Sequence, residues 1–136
     1  MKYLLDTNIC IYLIKNKPTS LITRFNEHAV GDIGVSTITV AELTYGVEKS
    51  QWYAQNQEAL LQFLSPLIIS DFDANAAFSY GQIRAELERQ GAPICSLDTV
   101  IAGHAVSLGV TIVTNNEREF KRIEGLSLEN WARHAS

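Results

Sequence analysis

The sequence contains only two cysteines among its 136 residues, Cys10 and Cys95. Two thiols are too few for the disulfide framework of a small secreted domain, and their separation matches no zinc-ligand pattern. No apolar run approaches the roughly 18 residues that a membrane-spanning helix requires. The opening MKYLLD reaches an acid too early for the apolar core of a signal peptide. These absences lead us to expect a cytoplasmic protein with no membrane segment.

Positive charge is also scarce. The 11 lysines and arginines are outnumbered by 15 aspartates and glutamates, which leaves a formal net charge of −4. That balance excludes a protein that coats nucleic acid through bulk charge. It is compatible with an enzyme acting on nucleic acid, because carboxylates gathered around a metal lower the net charge without making the whole surface acidic. The basic residues come in small groups, which by themselves indicate solvated surface.

The composition, 46% hydrophobic and 19% charged, is that of an ordinary globular chain. We expect one domain over 1–136, large enough to bury roughly two-thirds of its unfolded surface. Short apolar strands alternate with helical periodicity, which predicts a three-layer α/β/α domain with a short-stranded, mainly parallel sheet. Strands are predicted at 3–5, 32–36, 67–69 and 110–113. Helices are predicted at 9–14 with Thr7 or Asn8 as the cap, from Pro18, and over 38–49 and 54–65. Two more are predicted, one capped by Asp73 and ending at Gly91 and one capped by Ser96 and ending at Gly109, with a short helical turn after Asn116.

Polar residues follow two of the predicted strands directly. Asp6 ends the first strand, and Asn115 and Asn116 follow the strand at 110–113. Ligands of open parallel sheets bind at the carboxyl ends of the strands, so a site is expected there. Taken alone, Asp6 is more simply interpreted as the capping carboxylate of a helix start.

Two further carboxylates interrupt apolar helix faces. Asp98 lies in the first turn of its helix, where negative charge favours the dipole, yet it also continues a stripe that includes Ile101. Glu42 lies one turn after Ile38, although Thr39-x-x-Glu42 also fits a capping box. Three inward carboxylates are hard to bury together without a cation. Oxygen ligands of this kind suit Mg²⁺ or Mn²⁺ rather than zinc.

These residues stand in an order that resembles the PIN-domain ribonucleases and, within them, the VapC toxins of bacterial type II toxin–antitoxin pairs. The similarity covers nearly the whole chain, and the stretches at 6–12 and 15–18 look closest to the enterobacterial members. The motifs that carry it are Leu5-Asp6-Thr7-Asn8, Ala41-Glu42-Leu43 with Gly46, Asp98 with Ile101-Ala102, Val113-Thr114-Asn115-Asn116, and Glu119-Phe120.

The resemblance implies a PIN-like fold and a catalytic set of Asp6, Glu42, Asp98 and Asn116. It makes Asp6 and Asp98 the principal Mg²⁺ ligands, with Glu42 as the third acid and Mn²⁺ as a substitute ion. Asn116 occupies the family's fourth acidic position, where an amide supplies no full ligand charge. Glu119 could compensate, but Asn116-x-x-Glu119 also fits a helix-capping pattern, which we favour. The hydroxyls of Thr7 and Thr114 could hydrogen-bond a metal-bound water or a phosphate. They are explained equally well as simple strand-end hydroxyls with no role in the site.

The resemblance further implies an activity and partners. It predicts a Mg²⁺-dependent endoribonuclease toxin that cleaves RNA, specifically initiator tRNA in its anticodon loop, and leaves 5′-phosphate and 3′-hydroxyl ends. It also predicts a homodimer, inhibited by a cognate antitoxin whose disordered tail delivers an arginine to the carboxylates. The alternative is a non-catalytic PIN-fold module that binds RNA or protein. The basic residues expected beside the cleft are Lys15, Lys17, Arg118 and Lys121.

The remaining reactive and aromatic residues receive structural interpretations. His104 falls off the stripe of Asp98 and is predicted to be a packing or surface residue, while His28 and His134 lack sequence partners. Both cysteines are interpreted as small buried thiols. Trp52, Tyr53 and the run 60–64 are expected in the core or at a subunit contact rather than as base-stacking platforms.

Overall fold

The computed structural model describes residues 1–133, and within them the chain forms one five-stranded sheet and seven helices. Every strand pairing is parallel, and the strand order is β3-β2-β1-β4-β5. The strands are β1 Tyr3–Leu5, β2 Ile33–Ser36, β3 Ile68–Ser70, β4 Thr111–Val113 and β5 Leu128–Glu129. The helices are α1 Thr7–Ile14, α2 Thr19–Asn26, α3 Thr37–Glu48, α4 Tyr53–Leu64, α5 Ala74–Arg89, α6 Ser96–Leu108 and α7 Glu117–Phe120.

Each face of the sheet packs against its own apolar core. Side chains alternate along a strand, so Leu5 and Val113 contribute to one core while Leu4 and Ile112 contribute to the other. The first core also contains buried residues of helices α1 to α4, and the second contains residues of α5, α6 and α7. The predicted three-layer α/β/α arrangement is confirmed, and the sheet is parallel at every pairing.

The predicted elements occur where the sequence placed them, with bounds that shift by one or two residues. The strand β5 was missed, because its two residues have no periodicity of their own and pair only with β4. The cap of α1 was also assigned wrongly to Thr7 or Asn8. The Asp6 carboxylate is the cap, since its Oδ1 accepts a hydrogen bond of 2.8 Å from the backbone N–H of Ile9. Helix α6 begins at Ser96 after Cys95 without a side-chain cap.

The position of α6 is determined by close packing against α5. A Cβ on Gly103 would lie 2.8 Å from the backbone of Tyr80, so only glycine allows the two helices to approach so closely. At the far end, Gly109 takes a left-handed conformation with φ of 67° and ends the helix before β4. The N-terminal turn of α6, with Asp98, is thereby held beside the end of β1. Among residues 1–133, no helix combines the length and hydropathy that crossing a bilayer would need.

Candidate active site

Asp6 lies at the junction of β1 and α1 and is almost completely buried, with 4% relative exposure. The sequence allowed Asp6 to be either a helix cap or a site residue. In the structure Asp6 both caps α1 and lines the cleft, so one interpretation does not exclude the other. Burial raises the pKa of the Asp6 carboxyl, while hydrogen bonds from the Thr114 hydroxyl and the Ile9 backbone oppose that rise. The chain therefore holds a strand-end carboxylate in a place where its negative charge is poorly solvated.

Asp98 lies in the first turn of α6 and is half-buried. Loss of solvent raises the pKa of Asp98 to about 7, and the neighbouring carboxyls of Glu119 and Asp6 add to the rise. A hydrogen bond from Asn116 opposes it. Because the negative charge of Asp6 adds to the raised pKa of Asp98, the site favours a proton on Asp98 or a cation beside the two carboxylates.

Asn116 follows β4 and links two acids through a single amide group. Its Nδ2 donates to Asp98 Oδ2 at 3.1 Å and to Glu119 Oε2 at 2.8 Å. Its own backbone N–H donates to the Thr114 hydroxyl at 2.8 Å. The side chain at the family's fourth acidic position therefore adds no charge here, and it holds the carboxylates of its neighbours in place.

Glu119 belongs to this group, and the preference for a helix-capping role was wrong. Asn116 precedes α7 but makes no side-chain capping bond. The Glu119 carboxylate instead accepts hydrogen bonds from Asp98, from Asn116 and from the Cys95 backbone, and its pKa is lowered chiefly by the contact with Asp98. The sequence signal that would have identified it is an acid one helical turn after a strand-end asparagine.

Glu42 is placed differently from the expectation that three acids would be buried together. Its side chain is exposed on α3, although it does line the same cleft as Asp6 and Asp98. The capping-box alternative is also wrong, because Ser36 caps α3 by accepting a hydrogen bond from the Ile38 N–H. Thr39 is instead buried and accepts a hydrogen bond of 3.2 Å from the Thr7 hydroxyl.

Asp6, Glu42 and Asp98 line an open cleft of about 360 Å³ at the carboxyl edge of the sheet. Asp6 and Asp98 lie on one side, and one face of α3 forms the other. Tyr45 and Lys49 on that face were not singled out in the sequence, because neither residue type at its spacing differs from an ordinary helix surface. The lining consists of Asp6, Thr7, Asn8, Ile11, Glu42, Tyr45, Gly46, Lys49, Leu97, Asp98 and Ile101.

The donor chemistry of the cleft fits a hard divalent cation. Carboxylate oxygens are the ligands that Mg²⁺ and Mn²⁺ prefer, and a cation would offset the burial and the carboxylate repulsion that together raise the pKa of Asp98. Within residues 1–133, however, no three His, Cys, Asp or Glu side chains are gathered into a ready ligand cluster. That finding agrees with the exposed position of Glu42 across the cleft, so the preformed part of the site is the pair of aspartates.

The histidines do not reach this cleft in the described part of the chain. His104 is fully buried as a packing residue, with its Nε2 lying 3.3 Å from the Ser70 hydroxyl. His28 does have partners, since its ring stacks on Trp131 at 4.7 Å between centroids. His134 lies outside the described residues.

The two cysteines differ, which corrects the expectation that both are buried. Cys10 is buried, and loss of solvent raises the pKa of its thiol well above the ordinary value. Cys95 is exposed.

A second, mostly apolar groove of about 280 Å³ adjoins the cleft. It lies between α1, α3 and α4, and it shares Ile11, Glu42 and Gly46 with the cleft. Lys15 lines this groove, whereas Lys17, Arg118 and Lys121 are exposed and line neither cavity. The remaining lining residues of the groove are Ile14, Leu43, Val47, Asn56, Ala59 and Leu60.

The fold and this site match a known class of domain. The family model described as "PIN domain" matches residues 3–126 of the chain. The site residues Asp6, Glu42, Asp98, Asn116 and Glu119 all fall within that match.

Comparison with individual relatives shows to which group within the PIN-domain family the chain belongs. The chain is 52% identical over 132 residues to the "tRNA(fMet)-specific endonuclease VapC" of Shigella flexneri, which covers 97% of this chain and 99% of the relative. It is 49% identical to "Ribonuclease VapC2" of Haemophilus influenzae, over 96% of this chain and 98% of the relative. The chain therefore belongs to the PIN-domain family and, within that family, to the VapC ribonucleases.

Solved structures agree with this assignment. The VapBC of Salmonella typhimurium, crystallised bound to DNA, superposes with a TM-score of 0.91 at 48% identity, covering 96% of this chain and 98% of that one. VapBC2 of Rickettsia felis, bound to a DNA fragment from its promoter, gives a TM-score of 0.89 at 47% identity, with coverages of 96% and 99%. VapC nucleases of the PIN family are metal-dependent enzymes.

Proposed function

We propose that this chain is a Mg²⁺-dependent endoribonuclease toxin that hydrolyses initiator tRNA in its anticodon loop. The observation that carries the proposal is the pair Asp6 and Asp98, held at the floor of an open cleft with the pKa of both carboxyls raised. The tRNA target is supported by the relative from Shigella flexneri, whose name specifies tRNA(fMet). Such a substrate places the proposed activity in the cytoplasm.

The proposed cation is held by Asp6 and Asp98, with Glu42 facing the pair from α3. When bound, Mg²⁺ activates water for attack on the scissile phosphate and neutralises charge that develops on the phosphoryl oxygens. Each principal acid is anchored at one oxygen. Asp6 Oδ1 accepts from the Ile9 N–H, and Asp98 Oδ2 accepts from the Asn116 amide. Anchoring both carboxylates before the substrate arrives reduces the reorganisation that the reaction requires.

The chain's own proton chemistry centres on carboxyl groups. Among residues 1–133, the cleft lining includes no histidine, so an imidazole is not available there as a general base. In the proposed step water, rather than a ribose 2′-hydroxyl, attacks the phosphorus and the 3′-oxygen leaves with a proton, which gives 5′-phosphate and 3′-hydroxyl ends. Those ends are the chemical signature of the proposed mechanism.

The apolar groove supports the proposal of a protein partner. A cognate antitoxin can lay an apolar segment along Ile14, Leu43 and Val47, and the groove then leads past Glu42 into the cleft. An arginine on that segment would form charge-assisted hydrogen bonds with the carboxylates and exclude both cation and RNA. The similarity to solved VapBC structures supports a cognate antitoxin as the partner.

A homodimer is proposed from apolar side chains that the fold leaves uncovered. Trp52 and Leu61 have relative exposures of 66% and 58%, whereas Leu60 beside them is buried. The exposed pair matches the subunit-contact interpretation of this segment. Sedimentation of the isolated chain tests it, because the double change Trp52→Ser with Leu61→Ser should leave a monomer.

The decisive experiment is to sequence RNA ends from cells after brief expression of the wild-type chain and of Asp98→Asn. We expect new 5′-phosphate ends in the anticodon loop of initiator tRNA with the wild type only. Equal ends in both samples would contradict the proposal. If RNA is bound but never cut, and calorimetry detects no Mn²⁺ binding, the chain is instead a non-catalytic binding module.

A further inference from the structure

One face of α3 forms a wall of the cleft and carries three different kinds of side chain. Glu42 and Tyr45 lie on α3, and Lys49 is the residue that caps its C-terminus in helical conformation. Their intervals of three and four residues place them on the same side of the helix, where all three line the cleft. Gly46, between Tyr45 and Lys49, has open space where a Cβ would lie. Along the helix, this wall of the cleft therefore presents the acidic side chain of Glu42, the Tyr45 ring, the open space at Gly46 and the positive charge of Lys49.

The Tyr45 ring is not used by the core of the protein. Its relative exposure is 62%, whereas Leu43 on the same helix is buried at 6%. The Lys49 ammonium lies 4.8 Å from the ring centroid and so covers part of one face. The rest of the ring is open to solvent inside the cleft that contains Asp6 and Asp98.

We propose that Tyr45 is a stacking platform for an unpaired RNA base beside the scissile phosphate, and that Lys49 binds an adjoining phosphate. The inference deepens the nuclease function proposed above and rests on it. Tyr45 was not among the aromatic residues, Trp52 and Tyr53, for which the sequence predicted core or subunit contacts.

The charge of the cleft explains why such contacts are needed. Asp6, Glu42 and Asp98 repel a phosphate backbone, and the whole chain carries a net charge of −4. Of the cleft-lining side chains within residues 1–133, Lys49 is the one with positive charge. Stacking on an aromatic ring adds binding free energy that does not depend on charge and tolerates any base.

The same geometry favours a single-stranded loop over a duplex. A base can cover the Tyr45 ring only when its face is released from its own stack, as in loops and bulges. The Lys49 ammonium beside the ring is then positioned for the backbone of the same strand. Tyr45 and Lys49 are thus positioning residues that select unpaired RNA, while the aspartates carry the chemistry.

The test measures binding and cleavage separately. Binding of a labelled RNA hairpin with an unpaired loop is followed by anisotropy in Ca²⁺, and cleavage of the same hairpin is followed in Mg²⁺. We expect Tyr45→Leu to weaken binding by about fivefold to a hundredfold and to raise KM with little change in kcat. Tyr45→Phe should bind like the wild type. Phe78→Leu is the matched control, because Phe78 is 68% exposed but lies away from the cleft.

A double-mutant cycle with the RNA identifies the stacked base. Abasic sugars are placed at each loop position in turn, and at one position the loss of binding with the wild type should disappear in Tyr45→Leu. Lys49→Ala should lower the slope of log affinity against log salt by about 0.7, whereas Lys2→Ala at the opposite edge should not.

The outcomes separate this inference from the nuclease proposal. If Tyr45→Leu binds every hairpin like the wild type, or if its effect is additive with every abasic change, the stacking role is wrong. If the wild type binds with the predicted coupling but cuts nothing in Mg²⁺, the stacking role stands and the nuclease proposal fails. If the wild type binds no RNA, both are wrong.

Discussion

The carboxyl groups of Asp98 and Glu119 hydrogen-bond to each other, and both accept from the same Asn116 amide. One of these acids begins α6 and the other lies on α7, so the contact joins two elements that pack on the same side of the sheet. The pair shares one proton, since the pKa of Asp98 is raised while that of Glu119 is lowered. The candidate site is therefore a pair of coupled carboxyl groups, Asp98 and Glu119, next to Asp6, rather than three equivalent acids.

The first prediction concerns Asp98→Asn. Cleavage should fall by more than about 100-fold, because changes to residues that only support a metal ligand already cost 10- to 100-fold. The metal-free variant should be more stable than the wild type at pH 8 by ~1 kcal/mol, a figure reduced for partial exposure.

The sign of that stability difference follows from linkage. The pKa of Asp98 is about 7 in the folded chain and 3.8 ordinarily. Between these two pH values the folded chain holds a proton that the unfolded chain has lost. The wild type therefore loses stability as pH rises through this range, until Asp98 is deprotonated above 7. Urea unfolding in EDTA at pH 8 and pH 5 measures this, and the advantage of the variant should shrink at pH 5. A variant that is less stable than the wild type at both pH values would contradict the assignment.

The second prediction concerns the pH dependence of metal binding. A cation binds the deprotonated form of Asp98, so Mn²⁺ affinity should rise with pH up to about 7 and level off above it. Below that value, binding should release a proton. Calorimetry in two buffers with different ionisation enthalpies measures the proton directly, and binding without proton release at pH 6 would show that Asp98 is not a ligand.

The third prediction tests whether Glu119 influences the titration of Asp98 or only supports the fold. Glu119→Gln removes a charge that contributes to the raised pKa of Asp98, so the acidic limb of the cleavage profile should move to lower pH. Glu124→Gln, an exposed change in the same segment, should leave the profile in place. A uniform loss of activity at every pH would instead mean that Glu119 only supports the fold.

The fourth prediction concerns the basic residues outside the cleft. Neutralising Lys15, Lys17, Arg118 and Lys121 together should lower the salt slope of RNA binding by roughly one for each residue that contacts a phosphate. Because only Lys15 lines a cavity next to the cleft, the structure favours a small change at the other three. An unchanged slope would mean that the RNA follows another path.

The fifth prediction uses two helix glycines. A Cβ would meet nothing within 4 Å at either Gly46 or Gly81, so each change to alanine should stabilise the fold by about 0.5–1 kcal/mol. Gly46 lines both the cleft and the apolar groove, whereas Gly81 lines neither. Only Gly46→Ala should weaken inhibition by the antitoxin, measured as the inhibitor concentration that halves cleavage. Equal inhibition of both variants would remove the groove from the proposed interface.

The sequence by itself determined the chain order of the seven helices and of the strands β1 to β4, and it identified Asp6 and Asp98 as candidate site residues. Short apolar strands, capping signals and strand-end acids are local patterns. They can be recognised from neighbouring residues alone, without knowing how the rest of the chain packs. The resemblance in motif order then predicted the family, which the comparisons confirm.

Only the tertiary structure decided which atoms meet. The spacing Asn116-x-x-Glu119 favoured a helix cap in the sequence, but the two side chains bond to each other and to Asp98 because α6 lies beside α7. Glu42 was expected to be buried on its helix face, but within residues 1–133 it is exposed and lines an open cleft with Tyr45 and Lys49. Burial and hydrogen bonding depend on what packs against a residue from a distance, and that information is spread over the whole chain.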